Sequence, residues 1–363
     1  MKVVILGGSY AASRAIDIIS SLDKDAQVTV VSQSTHSYFN VASPRLLIEP
    51  EKLEKVFFSV EQWVTQKLGE GKGKFVHGTV EAVDFGAKEL SVGLGDDRAT
   101  KESIQYDILI IATGTRSTPG FKLNDTHEET ADAIRALNQK VTKANSIAVI
   151  GGNATGVEVA GELGSLKTKK VTVYTGSSSP LSFLDEKRTN ATTEKLTKLG
   201  VKVVNEIRSR SITEKDGKWT IEFDDGTSAD YDLVIEATGV TPNTSFLDSS
   251  VLDDRGYVAT DKSFAVKGHE DSVLALGDVL SIGQNTLVDM KYNQLEVFKA
   301  TVAKLLKKVT QEKLYDPSPS ATLAVPISRS GGVGLLNGWG MPNFVVRLVK
   351  SRDFMISQAK TNF

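Results

Sequence analysis

Val3-Val4-Ile5-Leu6-Gly7-Gly8-Ser9-Tyr10-Ala11-Ala12 is the stretch that decides the fold. Four consecutive apolar residues suit a strand buried on both faces of a parallel sheet. The glycines allow a tight turn, and Ala15, Ile16, Ile18 and Ile19 then carry helical spacing. A second strand is predicted at Gln27 to Val31. About 145 residues later the order returns: Ser146-Ile147-Ala148-Val149-Ile150, then Gly151-Gly152-Asn153-Ala154-Thr155-Gly156, a helix from Val157 to about Leu166, and a strand from Lys170 to Tyr174. Each copy closes on a similar phrase, Tyr106-Asp107 through Ala112-Thr113-Gly114 in the first and Tyr231-Asp232 through Ala237-Thr238-Gly239 in the second. This is an internal duplication, and alternating strands and helices imply parallel, doubly wound sheets.

In such a unit the Gly-rich turn opens a helix whose first amides face a pyrophosphate. The plain alternative is a tight turn with no ligand. Placement after the first strand favours dinucleotide binding in both copies. Gly7, Gly8, Ser9, Tyr10, Ala11 and Ala12 are therefore candidate contacts of one dinucleotide. Gly151, Gly152, Asn153, Ala154, Thr155 and Gly156 are candidates for another. Ser9 and Asn153 take the middle glycine's place, and Ala12 takes the third. The acid expected at the end of the second strand, where it holds a ribose hydroxyl, is replaced by Ser32 and by Thr175. In the second copy its loss also removes the repulsion that excludes a 2′-phosphate, so NADH and NADPH both remain open. Ser177, Ser178 and Ser179 either offer neutral hydrogen bonds there or form a solvated loop.

A last apolar strand, Ser272 to Leu276, ends in Gly277-Asp278. The Asp278 carboxylate suits the ribitol hydroxyls of a flavin dinucleotide; the alternative is an exposed turn. A helix predicted from about Asn293 to Lys308 would aim its positive end at the flavin ring. Ala112-Thr113-Gly114 and Thr238-Gly239 are close-packing turns near the cofactors rather than catalytic groups. The expected fold class is α/β, with two nested Rossmann-like domains: an FAD-binding domain over 1–119 and 244–315, and an NAD(P)H-binding domain over 120–243. Tyr315-Asp316-Pro317-Ser318-Pro319 has a linker's composition, and 316–363 forms a C-terminal segment.

Composition narrows the chemistry. The 363 residues are 40% hydrophobic and 24% charged, with a net charge of -2, as in a globular protein without the basic surplus of a nucleic-acid binder. There is no cysteine. That excludes thiolate metal sites, a protein disulfide as electron relay, and Cys-based peroxidase chemistry. Four scattered histidines lack metal-ligand spacing, so no metal is expected. The chain opens directly on a strand, with Lys2 after Met1, so neither a leader peptide nor a myristoylation signal is expected. No apolar run approaches membrane-spanning length. An intracellular protein, cytoplasmic or peripheral to an organelle membrane, is the expectation; nothing in the pattern sets an oligomeric state.

Glu158 follows the second Gly-rich turn. It is either a dipole-favoured acid in the first turn of its helix or a carboxylate facing the nicotinamide or flavin. Lys350 lies in Val346-Arg347-Leu348-Val349-Lys350-Ser351-Arg352-Asp353, which by pattern alone is a solvated basic face. Trp339, Met341, Phe344, Val345 and Leu348 either line an acceptor entrance, rest on a membrane surface, or pack across the first domain.

The whole arrangement resembles the two-dinucleotide-domain flavoprotein reductases, and within them the apoptosis-inducing-factor-like group that includes ferroptosis suppressor protein. The most specific likeness is C-terminal, in Ser328-Arg329-Ser330-Gly331-Gly332-Val333-Gly334 and in the run around Lys350. Tyr38-Phe39-Asn40-Val41-Ala42-Ser43-Pro44-Arg45 and Met290-Lys291-Tyr292 resemble that family's flavin-side segments. The resemblance implies an FAD-dependent NAD(P)H:quinone oxidoreductase. It implies catalytic roles for Glu158 and Lys350 beside the flavin and nicotinamide, with Glu158 either pairing with Lys350 or orienting the carboxamide, and cofactor contacts at Arg45 and Tyr292. Ser9, Ser32 and Asn153 depart from the family pattern. The competing expectations are a specialised-metabolism oxidase or monooxygenase on the same scaffold, and a death-signalling flavoprotein acting through partners.

Overall fold

The computed structural model describes residues 1–69, 71–284, 286–316 and 322–363. Its first sheet is built around β1 (Lys2–Leu6), which lies between β2 (Gln27–Ser32) and the strand Ile108–Ile111, parallel to both. Val3, Val4, Ile5 and Leu6 are all buried. Helix α1 (Tyr10–Leu22) covers one face with Ala11, Ala12, Ala15, Ile16 and Ile19. The alanines let the helix approach closely, and each isoleucine contributes about 1.5–3 kcal/mol by leaving water. The short strand Val273–Ala275 pairs in parallel with Ile108–Ile111 and forms the sheet's outer edge. Residues far beyond the second Gly-rich turn therefore return to the first sheet.

The second sheet repeats the plan in four parallel strands. Here β3 (Ser146–Ile150) lies between β4 (Lys170–Tyr174) and Leu233–Glu236, and Lys202–Val204 joins the far side of β4. The duplicated Tyr-Asp phrase has a local cause. Asp107 accepts from the Lys2 amide at 2.6 Å, and Asp232 accepts from the Asn145 and Ser146 amides at 2.9 Å each. In both copies the aspartate fixes the start of the central strand by satisfying its leading amides. The two connections between the sheets run together as an antiparallel pair, Thr115–Arg116 with Thr241–Pro242. The Thr113 hydroxyl donates to the Asn243 carbonyl at 2.7 Å, and the Asn243 amide group donates back to the Thr113 carbonyl at 3.0 Å.

Several expectations are corrected. The second Gly-rich turn is shorter than expected: α2 (Ala154–Ser165) begins at Ala154, not Val157, because Asn153 caps it. Glu158 is therefore in the second turn, beyond the reach of a simple dipole argument. The helix expected from Asn293 starts instead as a short turn at Leu287–Asp289, widens into a π-helical segment at Met290–Gln294, and is α-helical over Leu295–Leu305. Tyr315, placed by composition in a linker, is buried and donates to Asp289 at 2.9 Å. The expected linker residues Pro317, Ser318 and Pro319 lie outside the described residues.

The C-terminal segment packs against both units rather than against the first alone. Strands Leu323–Pro326 and Gly332–Leu336 form a hairpin whose Val325 and Val333, together with Ile327, join the second core. Phe354, Ile356 and Ala359 then pack with Tyr38, Phe39 and Leu46. Trp339, Phe344 and Leu348 pack on neither and are exposed, whereas Met341 and Val345 are half-buried. Among the described residues, no helix is long and apolar enough to cross a membrane.

Candidate functional site

The first turn is shaped by close approach. Gly7 has φ +110°, and a Cβ there would strike the carbonyl of Ala112, so the Ala112-Thr113-Gly114 turn presses on it from behind. A Cβ on Gly8 would lie 2.7 Å from the Ser32 hydroxyl. Ser32 itself donates to the Ser34 carbonyl at 2.9 Å, and Ser37 donates to the Gly8 carbonyl at 2.6 Å. Ser9 is the N-cap of α1 yet its side chain makes no capping bond. The leading amides of α1, at Tyr10, Ala11 and Ala12, thus lack the partner that a Ser cap usually supplies.

Beside that open end lies Gly277-Asp278. A Cβ on Gly277 would be 3.0 Å from Ala11, and the Gly277 amide donates to Gln294 at 3.1 Å. Gln294 and Tyr315 both donate to buried Asp289, which sets the turn in place. Asp278 accepts from Lys122 at 2.5 Å, and Lys122 also donates to Thr115 at 2.6 Å. An uncapped helix start, a glycine with no room for a side chain, and an adjacent carboxylate suit a pyrophosphate followed by sugar hydroxyls. The residues present fit a flavin dinucleotide. Tyr10 closes this end: its hydroxyl donates to Asn40 at 3.1 Å and its ring stacks on Phe363 at 4.9 Å. Burial pushes the Tyr10 hydroxyl well above its ordinary pKa.

The second turn shares the plan but not the cap. Gly151 has φ +128° and is backed by the Ala237 carbonyl, as Gly7 is by Ala112. Asn153, however, accepts from the Gly156 amide at 3.0 Å and donates to the Ala237 carbonyl at 2.8 Å. Gly156 has no space for a Cβ against the Gly151 carbonyl. Ala154 and Thr155 form the first turn of α2, and Thr238 and Gly239 leave the sheet at the connection to the first unit. Thr175 turns its hydroxyl inward, donating to the Ser177 carbonyl at 2.8 Å.

Between the two units, α2 presents two carboxylates one turn apart. Glu158, 5% exposed, accepts from Lys350 at 2.6 Å. Glu162 takes a bidentate grip from Arg45, Nε at 2.5 Å and Nη2 at 3.0 Å, with exposures of 1% and 0%. Burial pushes both carboxyls up, and the facing cations oppose the rise. Arg45, expected on the flavin side, turns its guanidinium toward α2 and the C-terminal segment. It also donates to the Ser351 and Arg352 carbonyls at 3.1 and 3.2 Å, which are the two that follow Lys350. The Phe354 ring lies 5.0 Å from the Arg45 guanidinium and 5.8 Å from the Lys350 ammonium. Lys350 stands on a π-helical segment, Arg347–Ser351, and the largely exposed Tyr292 stands on the other. Such bulges often mark functional positions.

Sequence reasoning missed Glu162, Lys122 and Phe354. Glu162 had a signal, since a carboxylate four residues after Glu158 on a helix otherwise rich in Val, Ala, Gly and Leu demands a buried cation. Lys122 and Phe354 had none, because only folding brings them to their partners.

A cysteine-free chain with two nested dinucleotide folds and charged groups at their junction defines a flavoprotein that works without a protein disulfide. Residues 1–302 match the family described as pyridine nucleotide-disulphide oxidoreductase, and the chain belongs to it. It is 32% identical to oxidoreductase ptaL of Pestalotiopsis fici, across 99% of this chain and 98% of that one. It is 25% identical to ferroptosis suppressor protein 1 of Taeniopygia guttata, across 99% and 95%. Its fold superposes on an engineered water-forming NADPH oxidase with a TM-score of 0.72, at 23% identity over 92% of this chain and 75% of that one. Membership of that family makes the protein a pyridine-nucleotide-dependent flavoprotein oxidoreductase, of a kind that typically uses FAD.

Proposed function

We propose that the protein transfers reducing equivalents from NAD(P)H to a quinone-type small-molecule acceptor. In this reading 1–119 and 244–315 hold FAD, 120–243 holds the nicotinamide dinucleotide, and 316–363 completes the junction. The uncapped amides of α1 bind the flavin pyrophosphate and Asp278 takes the ribitol hydroxyls. FAD held by these residues would supply the hydride and electron chemistry that links NAD(P)H to the acceptor. The observation that carries the reading is the pairing of Lys350 with Glu158 where the two units and the C-terminal segment meet. A fixed ammonium there stabilises negative charge that develops on a neighbouring ring, without reorganising as it forms. Glu158 holds the ammonium in place.

A chain without cysteine cannot pass electrons to a disulfide of its own, which supports a diffusible acceptor. Greater identity to the fungal oxidoreductase than to the ferroptosis suppressor favours a second reading, an oxidase or monooxygenase of specialised metabolism. Anaerobic reduction followed by turnover with a soluble quinone, oxygen or a dye separates the two. Lys350→Ala is expected to lower quinone turnover at least about tenfold while FAD content stays within about twofold. Unchanged kinetics in that variant would remove Lys350 from the mechanism.

A further inference from the structure

At its ribose end the second turn carries an arginine that lies across the bare backbone of Gly176. Strand Lys202–Val204 pairs in parallel with β4, Val204 opposite Tyr174, so residues 175–177 and 205–208 leave the sheet side by side. The Thr175 amide donates to the Val204 carbonyl and the Glu206 amide to the Ser177 carbonyl, both at 2.9 Å. Arg208 reaches back across this edge, its Nε donating to the Gly176 carbonyl at 3.1 Å. Gly176 has φ +64°, and a Cβ there would be 3.3 Å from Arg208 Cγ. The bare turn therefore lets the arginine stem lie across it.

Arg208 is exposed, and none of the ion pairs among the described residues includes it. Asp224 accepts from its backbone amide, not its guanidinium. Glu206, exposed two residues away, forms no ion pair among the described residues either. At the matching place in the first unit the charges are mixed and partly paired: Gln33 donates to Asp125 at 3.0 Å, Asp125 lies 3.9 Å from Arg116, and His77 lies 3.3 Å from Asp96.

In a dinucleotide-binding unit this strand end faces the adenosine ribose. An acid there takes the 2′-hydroxyl, whereas a nearby arginine accommodates a 2′-phosphate. Thr175 supplies no acid and has turned inward, while Arg208 offers free Nη groups at the rim. We infer that Arg208 is a specificity-determining residue that selects the 2′-phosphate, making NADPH rather than NADH the reduced substrate. This rests on the second unit binding a nicotinamide dinucleotide, as proposed above. A guanidinium forks onto two phosphate oxygens, and exposed Ser178 stands on the same loop.

The test uses the FAD-loaded protein and two ligands that cannot be turned over. Calorimetric titration is expected to give 2′,5′-ADP an affinity at least about tenfold above that of 5′-AMP, the scale of a charge-assisted hydrogen bond. Arg208→Ala should erase most of that preference and leave the 5′-AMP affinity within about twofold. Arg208→Lys should keep part of it, and raising the salt concentration should shrink it. Equal affinities, or a preference that survives Arg208→Ala, would overturn the role of Arg208 and leave the dinucleotide reading standing. Binding of neither ligand, together with no flavin reduction by NADH or NADPH, would overturn both.

Discussion

The two Gly-rich turns began as one pattern and now present different ends. The helix after Gly7 starts without a side-chain cap, whereas the helix after Gly151 is capped by Asn153. Asp278 stands beside the first, and Arg208 lies across the strand-end loop of the second. Both keep the glycine whose Cβ would strike a carbonyl of the Ala-Thr-Gly turn. Backbone geometry is thus common to the two halves, while side chains set what each end attracts. A duplicated unit can hold two dinucleotides of unlike charge without changing its architecture, because the fold depends on the buried strands and the selectivity on a few residues at their tips.

The largest effect is expected where the halves meet. Arg45→Ala leaves Glu162 buried without its cation, and breaking such a pair costs about 3–5 kcal/mol. Urea denaturation checks this. If Arg45→Ala lost less than about 1 kcal/mol, the pair would not be what locks α2 to the first unit. Arg45→Met combined with Glu162→Leu should recover much of the loss, since a well-packed apolar pair avoids the stranded charge.

A smaller, pH-dependent effect is expected at Glu158. Its folded-state pKa is raised, by burial above all. The wild-type protein therefore gains stability from this group below the ordinary Glu range and loses it as pH rises through the raised value. Glu158→Gln carries no such dependence, so its stability relative to wild type should improve as pH rises. In activity the sign is reversed: protonation at low pH breaks the Lys350 pair, so the acid limb of wild-type turnover should lie above the ordinary Glu range and vanish in Glu158→Gln. Parallel pH profiles for both proteins, in stability and in turnover, would contradict this.

The smallest effect tests the turns directly. Asn153→Gly restores the middle glycine and removes the cap, at a cost of only a few tenths of a kcal/mol. The freed Gly156 amide should then tighten 2′,5′-ADP binding by about twofold to fivefold. Weaker binding would mean that the Asn153 side chain itself contacts the ligand.

Much of this was legible in the residues. The burial of Val3 to Leu6, the repeat at Ile147 to Ile150 and the tight glycines follow from local pattern, since strand burial and left-handed turns are written in short windows. Glu158 and Lys350 were legible as candidates through resemblance, with their pairing one of the two roles expected of Glu158, and the fold brings them together at 2.6 Å. Tyr315 reads as linker because composition reports exposure on average, and a single buried hydroxyl held by Asp289 escapes it.

The sequence alone determined that the chain repeats a dinucleotide-binding unit and that no thiol chemistry is available to it, because both depend on residue type and short-range order. Only the tertiary structure decided that Arg45 grips Glu162, that Lys122 neutralises Asp278, and that Arg208 lies over Gly176. These partners are separated by 117, 156 and 32 residues. Their pairing is set by how sheets and helices stack, a long-range outcome that no local window encodes.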